Sequence, residues 1–558
     1  MSSGQSISHK PSRTLLIVTF FFAISYILFP LWMLIRESLG GGTFSLDAYG
    51  GLLHGSFAEA TLNSLLISLM SVMGSAIIGT FFAYVLAFVD FPAKRLISVA
   101  LLVPLALPPL VGVISFLFLI GESGMLSRLL SSVSGLPSGV FTVNGWTGIV
   151  IIHVYSFYVY FYLLVSSALS QLDGNLLDAS ASLGAGRFRT MTRVLLPMLM
   201  PSLVAASLIT FMASMASFTA PLLFGGNTRF LTLEIYAAKL NGDDASSAAL
   251  SVFLALLSVG LLFLLRWWQG RRPVVMESKS ARPTLAIRHG SFARRTLIAL
   301  LVCAAILLAL PIVTVVLLSF VKEGSWTYQI FPSTFTPSNY AELFNRPGNF
   351  DPLLNSLRMS LFAVAMTLFV GVAGAYLVTR KRFAGRGLLE AALSIPFGIP
   401  GTVIAVGLIL SLGRPTPFSF GSILVGTFWI MPIAYAVRNV PLQYRSAVAG
   451  LESLPSSLQE AADVLGSSPL TTFRRITLPL LLPSIISGAL LVFVNSAGEF
   501  VSSILLYSYG TRPVSIEILS QLRLFNIGAA SVQSTVLMAL VAAVVVLSRK
   551  FLRSSILS

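Results

Sequence analysis

Two short segments of the chain carry the residue types best suited to a specific interaction, and both follow one pattern. Residues 457–483 contain Glu460 and two alanines, then Gly466, then an Ile-x-Leu-Pro run. Residues 175–201 repeat the pattern with aspartate in place of the glutamate. Ser457 and Glu460 have the spacing of a capping box, and a glycine just after a short helix commonly stops it. Each segment is therefore predicted to hold a short helix with a small-residue face.

The chemistry of such a helix is docking rather than catalysis, because small side chains let another protein approach the backbone closely. One copy could equally be a loop that closes a helix bundle, but two copies at the same place in a repeat favour docking. We assign the docking role to Asp178, Ala179, Leu183, Gly184, Arg187, Glu460, Ala461, Ala462, Leu465 and Gly466.

Polar and helix-breaking residues inside apolar stretches form a second group of candidates. Glu499 follows a long apolar run, and ionisable groups at such depths in a membrane commonly mark a substrate pathway. Prolines at matching places of two apolar runs are expected to break helices where backbone lines a cavity. Packing kinks and an interfacial position for Glu499 are the alternative interpretations. The candidate pathway residues are Pro104, Pro108, Ser217, Pro396, Pro400, Asn495 and Glu499.

No constellation of residues indicates catalysis or a resident cofactor. The four histidines are scattered, and the apolar stretches contain no paired carboxylates. Cys303 is the only cysteine, which excludes an intrachain disulfide and a cysteine-based metal cluster. No lysine follows a glycine, which excludes a Gly-Lys-Ser/Thr phosphate-binding loop. We expect a chain that is not an enzyme and has no metal, cofactor or nucleotide of its own.

The elements that must position these residues are membrane helices. Of the 558 residues, 56% are hydrophobic and 10% are charged, which is typical of a protein embedded in a bilayer. Gaps between charges long enough to cross the hydrocarbon core predict an all-α integral membrane protein with about twelve transmembrane helices. The predicted spans lie within residues 14–35, 61–89, 96–121, 140–172, 194–228, 245–265, 296–321, 359–379, 391–413, 415–437, 476–498 and 524–548.

The net charge of +16 invites a nucleic-acid interpretation, but the positions of the basic residues argue against it. If the N-terminus is cytoplasmic and twelve spans follow, most lysines and arginines fall in inner loops and tails, as the positive-inside rule describes. We therefore predict a multi-pass protein of a bacterial inner membrane, surrounded by lipid, with both termini cytoplasmic and no nucleic-acid partner.

The chain contains an internal repeat. Asn63-Ser64 matches Asn355-Ser356, and many later residues of the two halves match in the same order. We predict a first half at 1–268, a basic cytoplasmic linker at 269–293 and a second half at 294–558. Six spans per half give both halves one orientation, so they form a parallel repeat about an axis normal to the membrane.

With these doubled motifs, the chain resembles the permease subunits of binding-protein-dependent ATP-binding-cassette importers of the type I fold, over essentially its whole length. In that family the segment at 457–483, and equally that at 175–201, is the EAA loop, whose coupling helix docks on a cytoplasmic ATPase. The resemblance implies an ATPase dimer that binds ATP and magnesium, and a periplasmic or otherwise extracytoplasmic substrate-binding protein.

The cargo is suggested by the fusion of two halves, which most resembles the ferric-iron importers. Thiamine and 2-aminoethylphosphonate permeases are built in the same way, and an aromatic cluster from His153 to Tyr162 would suit a cationic ring such as thiamine. The Glu499 carboxylate could briefly attract a cation. An ion-coupled secondary transporter and a membrane scaffold are the alternative classes, although neither explains the doubled EAA loop.

Overall fold

The computed structural model describes residues 12–50, 55–172, 176, 179–180, 182–271, 292–326 and 329–557. Because a bilayer offers no water to the backbone, long apolar runs fold as helices that bond internally.

The α-helices before the linker are Arg13–Phe22, Phe29–Ser38, Asp47–Gly50, Gly55–Phe88, Lys94–Ala100, Val103–Ala106, Pro109–Ile120, Met125–Ser134, Gly145–Ser170, Arg187–Thr190, Leu196–Met215, Thr219–Phe224, Leu231–Leu240 and Asp244–Arg271. Those after it are Phe292–Ser319, Ser338–Asn345, Asp351–Arg380, Arg386–Ser394, Gly401–Leu412, Ile430–Ser453, Ser456–Val464, Pro469–Thr472, Leu478–Ala497, Ser503–Leu506, Val514–Arg523 and Ile527–Leu557. The π-helices are Ala23–Leu28, Met191–Leu195 and Phe473–Thr477, and the 3-10 helices are Ser138–Val140, Ile395–Gly398, Pro417–Ser419 and Tyr509–Thr511.

Ten helical stretches in the described part of the chain are long and apolar enough to cross a membrane. A bent pair, Arg386–Gly398 followed by Gly401–Leu412 with an angle of 119° between them, brings the number to eleven. Most of the predicted spans are confirmed as helices, but the one predicted at 415–437 was misplaced. The helix there runs from Ile430 to Ser453.

The helix Ile430–Ser453 escaped the search for charge-free runs because it carries arginines. It packs against Asp351–Arg380 in the same way that Gly145–Ser170 packs against Gly55–Phe88, so it is the second-half counterpart of Gly145–Ser170. Its polar residues therefore belong to a helix of the repeated bundle.

Glycines at the two crossings fix how the halves correspond. A Cβ added at Gly79 would lie 2.6 Å from Cβ of Phe161, and one at Gly371 would lie 2.9 Å from Cγ of Gln443. Small residues let membrane helices approach closely, so both crossings depend on glycine. Matching Phe161 with Gln443 aligns these helices residue by residue, and the same alignment pairs His153 with Tyr435.

The described residues form two compact units that differ from the sequence halves. One unit, which we call the second-half unit, comprises Met1–Gly50, Ile235–Ala255 and Pro337–Ser558. The other, the first-half unit, comprises Gly51–Glu234 and Leu256–Thr336. The predicted halves at 1–268 and 294–558 remain a description of the repeat, since the packing follows other limits. Most of the predicted linker, residues 272–291, lies outside the described residues.

The first helix of each sequence half thus packs with the other half's core. In the second-half unit, Tyr26 donates from its hydroxyl to the carbonyl of Phe418 at 3.4 Å, and the rings of Phe29 and Phe418 lie 4.8 Å apart. In the first-half unit, Tyr155 donates from its hydroxyl to the carbonyl of Leu308 at 3.2 Å. The exchange leaves each core with one helix from the distant part of the chain.

The three π-helices have a common cause in the sequence. Each ends two residues before a proline, namely Pro30, Pro197 or Pro479. Proline has no N–H to bond the preceding turn, and its ring pushes away the carbonyl four residues earlier. The turn before it widens into a π-helix, a feature often found at functional sites.

The exchange of the first helix can be tested by cross-linking. In a Cys303→Ser background, Phe29→Cys and Phe418→Cys should be joined by a short bis-maleimide, because the native rings are in contact. A protease site inserted in the linker at 272–291 then separates the chain into two fragments. Gel electrophoresis after cleavage should show them still linked in the double variant and separate in either single-cysteine control. Separate fragments in the double variant would contradict the exchange.

Candidate functional site

We call the segments at 175–201 and 457–483 the first and second coupling segments. The second coupling segment forms the predicted short helix, Ser456–Val464. Gly466 follows it with φ of +72°, and the N–H of Ser467 donates to the carbonyl of Ala462 at 3.0 Å. This is the left-handed stop expected of glycine. The predicted capping box is wrong, because the helix begins one residue earlier and Ser457 lies in its first turn.

The first coupling segment ends in the same way. Gly184 has φ of +73°, and the N–H of Ala185 donates to the carbonyl of Ser180 at 3.1 Å. Asp178 and the side chain of Arg187, both predicted to take part in docking, lie outside the described residues. The duplication of the helix stop therefore extends to its individual hydrogen bonds.

Large apolar side chains stand uncovered where these helices end. Leu183 is 87% exposed, and Val464 and Leu465 are 87% and 85% exposed. Apart from its chain neighbours, no described residue has a heavy atom within 4 Å of a Cβ built at Gly184 or Gly466, so the surface around each stop is open. Exposed apolar patches of this kind are typical of protein interaction sites.

The alanines of the predicted docking face do not all share this exposure. Ala179, Ala461 and Glu460 are exposed, whereas Ala462 is buried. Ala462 packs on the chain itself, so it supports the coupling helix from beneath and offers no surface to a partner.

Hydrogen bonds join each coupling segment to the helix that follows it. The hydroxyls of Ser180 and Thr190 lie 2.8 Å apart, and Thr472 donates to the hydroxyl of Ser467 at 3.0 Å. The π-helices Met191–Leu195 and Phe473–Thr477 come directly afterwards. Each coupling segment therefore runs on into a long helix that begins directly after the π-helix.

Glu499 is buried inside the second-half unit. Its carboxylate accepts hydrogen bonds from the N–H groups of Ser502 at 3.0 Å and Ser503 at 3.1 Å, and from the hydroxyl of Ser503 at 3.0 Å. Arg438 forms an ion pair with the same carboxylate. The acid therefore caps the short helix Ser503–Leu506 and neutralises a guanidinium inside the bundle.

The predicted proline breaks are confirmed and lie beside this ion pair. Pro396 is in a 3-10 helix, and Pro400 immediately precedes the helix Gly401–Leu412. A Cβ at Gly401 would lie 2.6 Å from Nη1 of Arg438, so the guanidinium rests directly against the new helix start. In the first half, Pro104 is the second residue of the short helix Val103–Ala106. Pro108 immediately precedes the helix Pro109–Ile120.

Asn495 is not part of this cluster. It is exposed, and its amide donates to the carbonyl of Leu491 at 2.9 Å within its own helix. The polar neighbours are instead Asn439, which donates to the hydroxyl of Ser496 at 3.3 Å, and Tyr435, whose hydroxyl lies 2.8 Å from that of Ser503.

Ser217, the first-half counterpart of Glu499, belongs to an uncharged cluster. Its hydroxyl lies 2.9 Å from Nε2 of His153, and Nδ1 of this histidine lies 3.0 Å from the hydroxyls of Ser71 and Ser214. His153 is buried and occupies the place of Tyr435. The two halves therefore hold polar clusters at one position, and only the second-half cluster contains an ion pair.

Sequence reasoning missed Arg438. The predicted span ended at residue 437, because charged residues were used to end spans. The available signal was the repeat itself, in which Arg438 and Glu499 replace Ser156 and Ser217 on matched helices. Two opposite charges that appear together in only one copy indicate a pair.

Sequence reasoning also gave no role to the matched Asn-Ser pairs. The amide of Asn63 donates to the carbonyl of Arg229 at 3.1 Å, and that of Asn355 donates to the carbonyl of Arg512 at 3.2 Å. These bonds fasten the loop before Leu231–Leu240, and the loop before Val514–Arg523, to the helix that carries the asparagine.

The same two arginines form ion pairs on a short helix outside the spans. Arg229 pairs with Glu234 at 3.4 Å, and Arg512 pairs with Glu517 at 2.8 Å. Burial raises the pKa of the Glu234 carboxyl, and the nearby Arg229 opposes this shift. We call the asparagine bond and the ion pair together the asparagine clamp. It is a repeated structural feature that holds the region next to the polar clusters.

Comparison with known proteins agrees with this duplicated geometry. The family described as binding-protein-dependent transport system inner membrane component matches residues 75–271 and 367–557. The "Probable ABC transporter permease protein y4fN" of Sinorhizobium fredii is 28% identical over 90% of this chain and 89% of its own length. The ferric transport system permease protein FbpB of Actinobacillus pleuropneumoniae is 27% identical over 98% of this chain and 78% of its own.

Another relative has a higher identity over a smaller part of the chain. The sulfate transport system permease protein CysT of Salmonella typhimurium is 34% identical over 32% of this chain and 69% of its own length. Together with the two family matches, this decides against the secondary-transporter and scaffold classes. The chain therefore belongs to the family of binding-protein-dependent transport system inner membrane components, as a fused ABC importer permease that carries two copies of the family's domain.

Proposed function

We propose that this permease forms the pathway of a ferric-iron importer and is driven by a separate ATPase dimer docked on its two coupling helices. The observation that carries the docking proposal is the pair of identical helix stops with Leu183 and Leu465 exposed beside them. The partner ATPase binds the ATP and magnesium, and this chain contributes no cofactor.

The exposed leucines supply the free energy of docking. Burial of one leucine side chain contributes roughly 1.5–3 kcal/mol, so the two leucines together supply part of the free energy that association requires. The Ser180–Thr190 bond joins the first coupling helix to the next helix, and the Ser467–Thr472 bond joins the residues just after the second coupling helix to the next helix. Movement of the ATPase passes through these segments into the membrane helices.

The orientation follows from charge. Basic residues flank both coupling segments, namely Arg187, Arg189, Arg193, Arg474 and Arg475, and such clusters favour the cytoplasmic side. The coupling helices and both termini are therefore cytoplasmic in the inner membrane, and a substrate-binding protein delivers cargo to the opposite face.

The choice of ferric iron is supported by the relatives that match nearly the whole chain, of which FbpB is named for ferric transport. Thiamine has less support, because the tyrosines proposed to receive it are buried and bonded. Tyr158 donates to the carbonyl of Leu101 at 2.7 Å, and Tyr162 donates to that of Ser98 at 3.4 Å.

Docking on the leucines can be tested by replacing both with aspartate. Leu183→Asp with Leu465→Asp removes two apolar contacts and adds charge, so capture of the ATPase from detergent should fall at least about tenfold. Leu240→Asp, at an exposed leucine elsewhere in the chain, is the matched control and should capture normally. Equal capture by the double variant and the control would contradict the docking site.

Orientation can be tested by labelling single cysteines in a Cys303→Ser chain. An impermeant thiol reagent added to intact spheroplasts should label Asp243→Cys and leave Ser280→Cys unlabelled, because the positive-inside rule places residue 280 in the cytoplasm. After permeabilisation both should react. Labelling of the 280 position in intact spheroplasts would reverse the orientation.

The cargo can be tested by uptake in cells with the permease, its ATPase and its binding protein. Deletion of the permease should abolish uptake of labelled ferric iron and leave that of thiamine and 2-aminoethylphosphonate unchanged. Unchanged iron uptake together with loss of either competitor would refute ferric iron as cargo and would leave the importer assignment intact.

A further inference from the structure

The Arg438–Glu499 ion pair is unequal in its access to solvent. The side chain of Glu499 is 2% exposed, whereas that of Arg438 is 33% exposed. The carboxylate accepts from two backbone N–H groups, two hydroxyls and the guanidinium, so its lone-pair positions are occupied. A cation could reach this carboxylate only by dismantling the cluster. Attraction of a cation by Glu499, which the sequence suggested, therefore does not suit this geometry.

Part of the Arg438 side chain is left uncovered by the described residues. Arg438 lies eight residues after Ile430, or about 12 Å along its helix. A guanidinium at such a depth is costly in contact with lipid and is normally turned to the bundle interior or to a water-filled cavity. Its first-half counterpart is Ser156, so the charge is present in one half only.

The surroundings of Arg438 favour a negative group. Its guanidinium lies against Gly401, the first residue of a twelve-residue helix, where the helix dipole is positive. Thr402, the next residue, is fully buried, and its hydroxyl has no hydrogen-bond partner among the described residues. A guanidinium beside a helix N-terminus forms a setting in which an anion is stabilised.

We propose that Arg438 contacts an oxyanion group of the cargo as it passes, and that Glu499 is a positioning residue that holds the guanidinium in place. A guanidinium binds carboxylate and phosphate oxygens in a fixed fork, so the group recognised is a carboxylate, phosphate, phosphonate or sulfate. This proposal rests on the proposed function and adds to it that such a group travels as a ligand on ferric iron. A free oxyanion would supply the same chemistry.

The test compares variants of Arg438 in proteoliposomes that contain the permease, its ATPase and its binding protein. Labelled ferric citrate is supplied in one arm, and citrate, sulfate and 2-aminoethylphosphonate without iron are supplied in the others. Arg438→Gln should lower uptake of the recognised cargo by about tenfold or more, with a smaller loss for Arg438→Lys, which keeps the charge but not the fork. Arg445→Gln, two turns along the same helix, is the matched control and should transport normally.

A variant of Glu499 separates contact with cargo from a purely structural ion pair. Glu499→Gln breaks the ion pair but keeps the guanidinium and an oxygen that can accept from the N–H groups of Ser502 and Ser503, so its uptake should fall less than that of Arg438→Gln. Equal losses in the two variants, or full uptake by Arg438→Gln, would overturn the proposal while iron import by the wild type still stood. Uptake of an iron-free oxyanion alone, lost in Arg438→Gln, would support the contact site and refute ferric iron as cargo.

Discussion

Hydrocarbon offers no hydrogen bonds, so every backbone group that crosses the membrane must be satisfied within the chain. This constraint accounts for the helices and also for how their irregular parts are made. Where Pro396 and Pro400 interrupt a span, the hydroxyl of Ser502 donates to the carbonyl of Gly401 at 3.4 Å, and Glu499 in turn accepts from the N–H groups of Ser502 and Ser503. Where Pro197 and Pro479 remove a donor, the preceding turn widens into a π-helix and the helix continues.

The two halves keep the same scaffold and differ in their polar clusters. The glycine crossings, the helix stops and the asparagine clamps recur with nearly the same distances. The polar clusters do not, because His153 and Ser217 in one half stand where Tyr435 and Glu499 stand in the other. Fusion of two copies in one chain permits this division, since a homodimer would place the same charges on both sides.

Local features were predictable from sequence and distant ones were not. The stops at Gly184 and Gly466 were predictable because a left-handed residue after a short helix depends on glycine itself. The proline breaks were predictable for the same local reason. The exchange of first helices was not, because it depends on packing between remote parts of the chain. Arg438 was missed because its burial depends on Glu499, which is distant in the sequence, and a charge-free window excludes both.

We propose that both coupling helices are the mechanical contacts with the ATPase. Hydrogen–deuterium exchange of the purified permease, with and without the ATPase dimer, tests it most directly, since exchange reports how often backbone N–H groups open to solvent. The account predicts slower exchange on ATPase binding in both Ser456–Val464 and residues 179–185. Binding of the ATPase with unchanged exchange at these two segments, and protection elsewhere in the chain, would contradict it.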